Sequence, residues 1–160
     1  MIRFFLLLSL FVCGLEGLVF AAEFDHEYNN YKEKISKYIS VKNGLINYKQ
    51  IKIHSRGIAN FLEVSSKITK DSYDKWDENQ KLSFLINLYN VSTIKLIIDN
   101  YPINSIKEID SPWDLKFIDF LGSKISLNNI ENELIRKSFD DPRIHFALVC
   151  AAKGCAVLRT

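Results

Sequence analysis

Cysteine is scarce in this 160-residue chain, with only Cys13, Cys150 and Cys155. Three prolines and six glycines leave no room for a Pro/Gly-rich linker, and there is no internal repeat or low-complexity tract. Charge of one sign is missing too. The 21 Lys and Arg and 19 Asp and Glu residues are mixed along the chain, for a net charge of +2. A nucleic-acid partner is therefore not expected, because it would need a clustered basic face. Past residue 21 no apolar run reads as long enough to span a bilayer, so no membrane span is expected in the mature chain.

The chain begins with one cation, Arg3, then a mostly apolar run from Phe4 to Phe20, then the small residues Ala21 and Ala22. Basic end, apolar stretch and small residues are the order of a secretory signal peptide. Val19-Phe20-Ala21 places cleavage after Ala21, so residues 1–21 are read as a leader and the protein as exported, periplasmic or secreted. A membrane anchor is the competing reading. Glu16 interrupts the run, and a span needs about 20 apolar residues. Lipid attachment at Cys13 is disfavoured by bulky Val12 beside it. Loss of the leader removes Arg3 and Glu16 together, so the net charge stays +2.

It also removes Cys13, leaving Cys150 and Cys155. An even pair in an oxidising compartment reads first as a disulfide. Four residues including Gly154 separate the two, and closing so short a loop is worth about 2 kcal/mol by chain entropy. A reactive thiol is the second reading. Zinc is the third, because His145, Cys150 and Cys155 make three nearby ligands where a structural site takes four. No metal or cofactor is assigned.

Hydrophobic periodicity gives the elements. Phe24, Tyr28, Tyr31, Ile35 and Tyr38 repeat at helical steps, and Asn43-Gly44 marks a tight turn between strand-like arms. A second helical pattern covers Ile51 to Ile68. Asp77, three residues before Gln80, opens a long helix that runs to about Asn100, with Leu82, Leu85, Tyr89, Ser92 and Leu96 on one stripe. Pro102 ends it. "PWDLKFIDFLGSKISL" reads as two strands turned at Gly122. Asn128 and Glu131 suggest the cap of a further helix to about Phe139, and Arg143 to Cys150 reads as a strand. The class is α+β: a helix-rich single domain with a small, mainly antiparallel sheet. Residues 22–75 hold N-terminal helices and a hairpin, and 76–160 the remainder.

That remainder resembles the domain-of-unknown-function 547 family of exported bacterial and some plant proteins. The matching features are Trp76, Phe84 with Asn87-Leu88-Tyr89-Asn90, Tyr101-Pro102, Ser126-Leu127 with Ile130-Glu131, Asp141-Pro142-Arg143-Ile144-His145-Phe146-Ala147, Cys150 and Cys155. "GLINYKQIK" resembles a short stretch that often precedes the domain, so the likeness spans about Leu45 to Leu158. Two departures stand out. Ala156 replaces the usual proline after the second cysteine, and members usually continue past the position of Thr160, which implies an incomplete C-terminus. The resemblance supplies a fold neighbourhood and suspect residues but no reaction.

On a strand, His145 shares a face with Arg143, Ala147 and Val149, while Cys150 falls on the other, so Cys155 reaches His145 only by folding back through "AAKG". A thiol nucleophile needs a base or a positive field nearby, and His145 and Arg143 supply both. Asn87, Asn90, Glu131 and Arg143 read either as structural polar groups or as the lining of a cleft. Arg143 beside Asp140 and Asp141 is also read as a turn-fixing ion pair.

Two functions remain, and whether the protein is an enzyme stays open between them. The favoured one is a non-catalytic binding or structural domain stapled by Cys150 and Cys155, its partner unspecified. The alternative is a thiol-dependent hydrolase or acyl transferase with Cys155 or Cys150 as nucleophile and His145 as base. The leader carries its own test: intact-mass measurement of the protein from its native envelope should show residues 1–21 removed. Retention of Met1 to Phe20 would favour an anchor.

Overall fold

The computed structural model describes residues 24–39 and 45–149. The leader, the Asn43-Gly44 turn, Cys150 and Cys155 lie outside the described residues.

Among the described residues the longest apolar pattern forms the longest helix, α5 (Glu78–Asn100). Its start is the expected capping box: the Asp77 carboxylate accepts the Gln80 N–H at 2.8 Å, and the Gln80 side chain accepts the Asp77 N–H at 3.0 Å. It stops at Tyr101, held extended before Pro102. The expected single stripe is too narrow a description. From Phe84 to Ile98 almost every side chain is buried, because neighbours cover α5 on several sides. By length and composition α5 could cross a membrane, and 67% of its most apolar window is buried in the fold, as in a core helix.

The covering elements come from both halves of the chain. α1 (Asn29–Ile35) continues as a 3-10 turn, Ser36–Tyr38. The helix expected from Phe24 therefore starts later, and Phe24 precedes a turn at His26-Glu27 that leads into it. The pattern expected as one helix over Ile51 to Ile68 is two, α2 (Tyr48–Ile53) and α3 (Arg56–Ser66), separated at His54-Ser55. Asn47 explains the early start of α2, since its side chain accepts the Gln50 N–H. α4 (Lys70–Asp74) is capped in the same way by Thr69. Ile39 and Ile46 pair antiparallel across the segment that holds Asn43-Gly44.

The strands β1 (Ile118–Phe120) and β2 (Ser123–Ile125) form the expected antiparallel hairpin. Leu121 and Gly122 both take positive φ, at 47° and 78°, the turn whose twist suits two adjacent strands. The result is an α+β, helix-rich domain with a two-stranded sheet.

One ring lies at the centre of the core. Phe84, fully buried on α5, meets Phe24 at 5.2 Å, Trp76 at 5.2 Å, Phe120 at 6.0 Å, Tyr73 at 6.2 Å and Phe61 at 6.5 Å between centroids. Its partners come from the N-terminal segment, α3, α4, the turn before α5 and β1. Truncation of this ring should therefore cost far more than loss of the helix cap. In urea denaturation Phe84→Ala should cost about 3–5 kcal/mol and Asp77→Ala about 1 kcal/mol; equal costs would remove Phe84 from the centre of the fold.

Candidate functional site

Of the residues singled out in the sequence, Asn90 is the one that meets the last described segment where α5 passes it. Asn90 is 4% exposed, and its amide does two things at once. Its Nδ2 donates to the Ala147 carbonyl at 2.9 Å, and its Oδ1 accepts the Val149 N–H at 2.9 Å. One side chain thus reads the backbone as a neighbouring strand would, and fixes the chain one residue before Cys150. Asn87, three residues earlier, does not join this clamp: its Nδ2 donates to the Ser83 carbonyl at 2.9 Å.

Over its described part, residues 143–149, the strand expected from Arg143 to Cys150 is not formed. Pro142–Phe146 is a 3-10 helix. Pro142 at its start presets φ, and the Asp141 carboxylate accepts the Arg143 N–H at 2.9 Å. Strand alternation therefore does not decide which way these side chains face. Ile144 turns into the core, while Arg143, His145 and Phe146 are directed outward, Phe146 at 74% exposure. Arg143 pairs with Asp141, its Nη2 2.6 Å from Oδ2, which leaves the ion pair as a local clasp on the turn. The Arg143 side chain, and then its backbone N–H, hold the Asp141 carboxyl down at about 2 from 3.8. A depressed carboxyl stabilises the fold above its ordinary range, and that contribution fades as the pH falls toward about 2.

The cap expected at Asn128 also moves. Ser126 and Asn129 bond reciprocally instead: the Asn129 Oδ1 accepts the Ser126 N–H at 3.0 Å, and the Ser126 Oγ accepts the Asn129 N–H at 3.1 Å. Asn128 is occupied elsewhere, donating to Asp114 at 2.7 Å. The chain then enters a π-helix over Asn129–Ile135, continued by α6 (Arg136–Ser138). Its wider turn sets residues five apart over one another. Glu131 therefore meets Arg136 at 2.7 Å instead of capping the helix.

That pair extends in both directions. Arg136 Nη2 lies 3.5 Å from His145 Nδ1. On the other side the buried Tyr89 hydroxyl faces Glu131 and Trp113; burial first, then the Glu131 carboxylate, pushes the phenol above its ordinary range. The Glu131 side chain is 19% exposed against 51% for Arg136, so the line runs from the core outward, Tyr89 to Glu131 to Arg136 to His145. Tyr89 and Arg136 are functional candidates that the sequence reading missed. The five-residue spacing from Glu131 to Arg136 is meaningless on an α-helix and becomes a signal only on a π-turn.

The cavity beside His145 is small. Ile135, Arg136, Phe139, Pro142, Ile144 and His145 enclose about 50 Å³, enough for one or two waters. Among the described residues no three His, Cys, Asp or Glu side chains gather as a metal site.

Residues 73–160 match a protein family described as "Protein of unknown function, DUF547". No curated protein and no solved structure matches the chain. The matched region includes Asn90, Glu131, Arg136 and His145.

The Asn90 clamp should carry a measurable cost. Asn90→Ala strands the Ala147 carbonyl and the Val149 N–H and should cost about 1–3 kcal/mol, with faster hydrogen exchange at Val149. Asn90→Asp can still accept from Val149 but cannot donate to Ala147, so it should protect Val149 partly. Unchanged exchange in Asn90→Ala would remove the clamp.

Proposed function

Because the chain belongs to the DUF547 family of proteins of unknown function, we propose a function from the site itself: an exported, non-catalytic binding or structural domain in which Cys150 and Cys155 are joined. The observation that carries this reading is the Asn90 clamp. A buried amide spent on two backbone groups anchors the approach to Cys150 as a structural element, ready for a staple one residue on. The other suspect polar groups are spent in the same manner. Asn87 bonds Ser83, Arg143 clasps Asp141, and Glu131 holds Arg136. The cavity beside His145 is far below the roughly 300 Å³ at which ligand pockets usually begin. Export rests on the leader pattern, and the staple on the even cysteine count in an oxidising compartment.

One observation favours a second reading, a thiol-dependent hydrolase or acyl transferase. The line from Tyr89 through Glu131 and Arg136 to His145 is built on a π-turn, and π-turns recur at functional sites. In that reading His145 serves Cys150 or Cys155 as base, with the nucleophile's proton passing to the imidazole.

Thiol counting separates the two. Protein recovered from the exported fraction without reductant should show no free thiol, and Cys150→Ser should lower stability by about 2 kcal/mol. Two free thiols, one alkylated much faster than the other and slowed by His145→Ala, would put the thiol enzyme in its place.

A further inference from the structure

Four aromatic side chains close around one small cavity on the side of the molecule built by the N-terminal segment, α1 and α3. Phe24, Tyr28, Tyr31 and Phe61 make most of its wall, Asp25, Gly57, Asn60 and Val64 complete the lining, and the volume is about 110 Å³. Tyr28 and Phe61 lie 6.3 Å apart at 34°, and Phe24 stands across both. Phe24 stands at 73° to Tyr28 and 76° to Phe61, with centroids 5.7 and 6.4 Å apart. Tyr31 meets Phe61 at 5.3 Å and 46°. Rings set at such angles make the walls of a box.

Two backbone features hold the box in shape. Gly57 lets α1 and α3 approach, since a Cβ there would sit 2.8 Å from the Lys34 Cβ. Tyr28 takes φ 55°, a conformation that bulky residues avoid and that points to a local constraint on its ring. Its hydroxyl is tied to Ser83 at 3.4 Å.

The chemistry of the walls selects a ligand. Aromatic faces carry negative potential and attract a cation within about 6 Å of the ring centroid. Among the described residues Asp25 is the one formally charged member of the lining, and it is anionic. The volume suits a head group rather than a whole drug-sized ligand of about 300 Å³ or more. An ammonium with N–H groups would need acceptors all round to replace its water. Among the described residues the acceptors lining this box are partly engaged already, Asp25 Oδ1 by the Glu27 N–H and the Tyr28 hydroxyl with Ser83. A quaternary ammonium has no N–H to satisfy.

We propose that Phe24, Tyr28, Tyr31 and Phe61 form an aromatic cage for a quaternary ammonium head group of the choline type, with Asp25 at its mouth. The Asp25 carboxylate disfavours an anion attached to that head group, so the ligand is a free cation rather than a phosphocholine lipid. The cage is independent of the Cys150 reading. It is built from other elements and stands whichever state the cysteines take.

Calorimetric titration of the folded full chain with choline and with its neutral isostere 3,3-dimethyl-1-butanol tests the proposal. Choline should bind about tenfold more tightly than the isostere, the margin a partly desolvated cation–π site provides. Tyr31→Leu should remove the margin. Asp25→Asn, an exposed change that leaves the core intact, should weaken choline several-fold and leave the isostere unchanged. Vesicles of phosphatidylcholine should not sediment the protein. Equal affinity for choline and isostere, heat from neither, no effect of Asp25→Asn, or sedimentation with the vesicles would each overturn the proposal.

Discussion

The rest of the structure depends on the burial of one helix on nearly all sides. α5 presents apolar side chains from Phe84 to Ile98, and the elements around it are placed by the need to cover them. Phe84 shows how the constraint works. Its ring gathers aromatic partners from the N-terminal segment, α3, α4 and β1, so elements far apart in sequence share one core. Aromatic pairs of this geometry add about 0.5–1.5 kcal/mol each to the area they bury. The hairpin β1–β2 is too short to stand alone and persists because Ile118 and Phe120 are buried.

Covering a helix completely creates a second problem, which Asn90 solves. A polar side chain in the middle of that surface must find partners or be costly. Asn90 finds them in the backbone of Ala147 and Val149, and so converts a burial cost into a fixed position for the chain just before Cys150. The 3-10 turn at Pro142–Phe146 delivers the segment to the clamp, with Ile144 buried and His145 left at the surface. The π-turn opposite does comparable work for Glu131 and Arg136, linking the buried Tyr89 to His145. Membership of the DUF547 family covers all of these residues, and the structural reading of them rests on how fully their hydrogen-bonding groups are spent.

The aromatic cage belongs to the same logic at the other side of the core. Phe24 and Phe61 belong both to the ring cluster around Phe84 and to the cage wall, so a site for a cation would be built directly on the aromatic core.

Local chemistry is enough for several features. Asp77 and Gln80 define the start of α5 because a capping box is satisfied within four residues, and Pro102 defines its end. Leu121-Gly122 makes its hairpin because the turn itself demands positive φ. The helix-rich α+β class and the suspect residues Asn87, Asn90, Glu131, Arg143 and His145 are legible in pattern and resemblance. The tertiary structure alone decides what those residues touch. Alternation suggests a strand at Arg143 to Cys150, but Pro142 with Asp141 makes a 3-10 turn. A side-chain acceptor for the Arg143 N–H outcompetes sheet pairing where, among the described residues, no partner strand is at hand. Asn128 and Glu131 have the spacing of a cap, but Ser126 and Asn129 take that role, and the π-turn sends Glu131 to Arg136. Spacing along one element is written in the chain. The partner of a buried amide or carboxylate lies far along the chain, as Ala147 does at 57 residues from Asn90, or across an irregular turn, and only the folded chain brings them together.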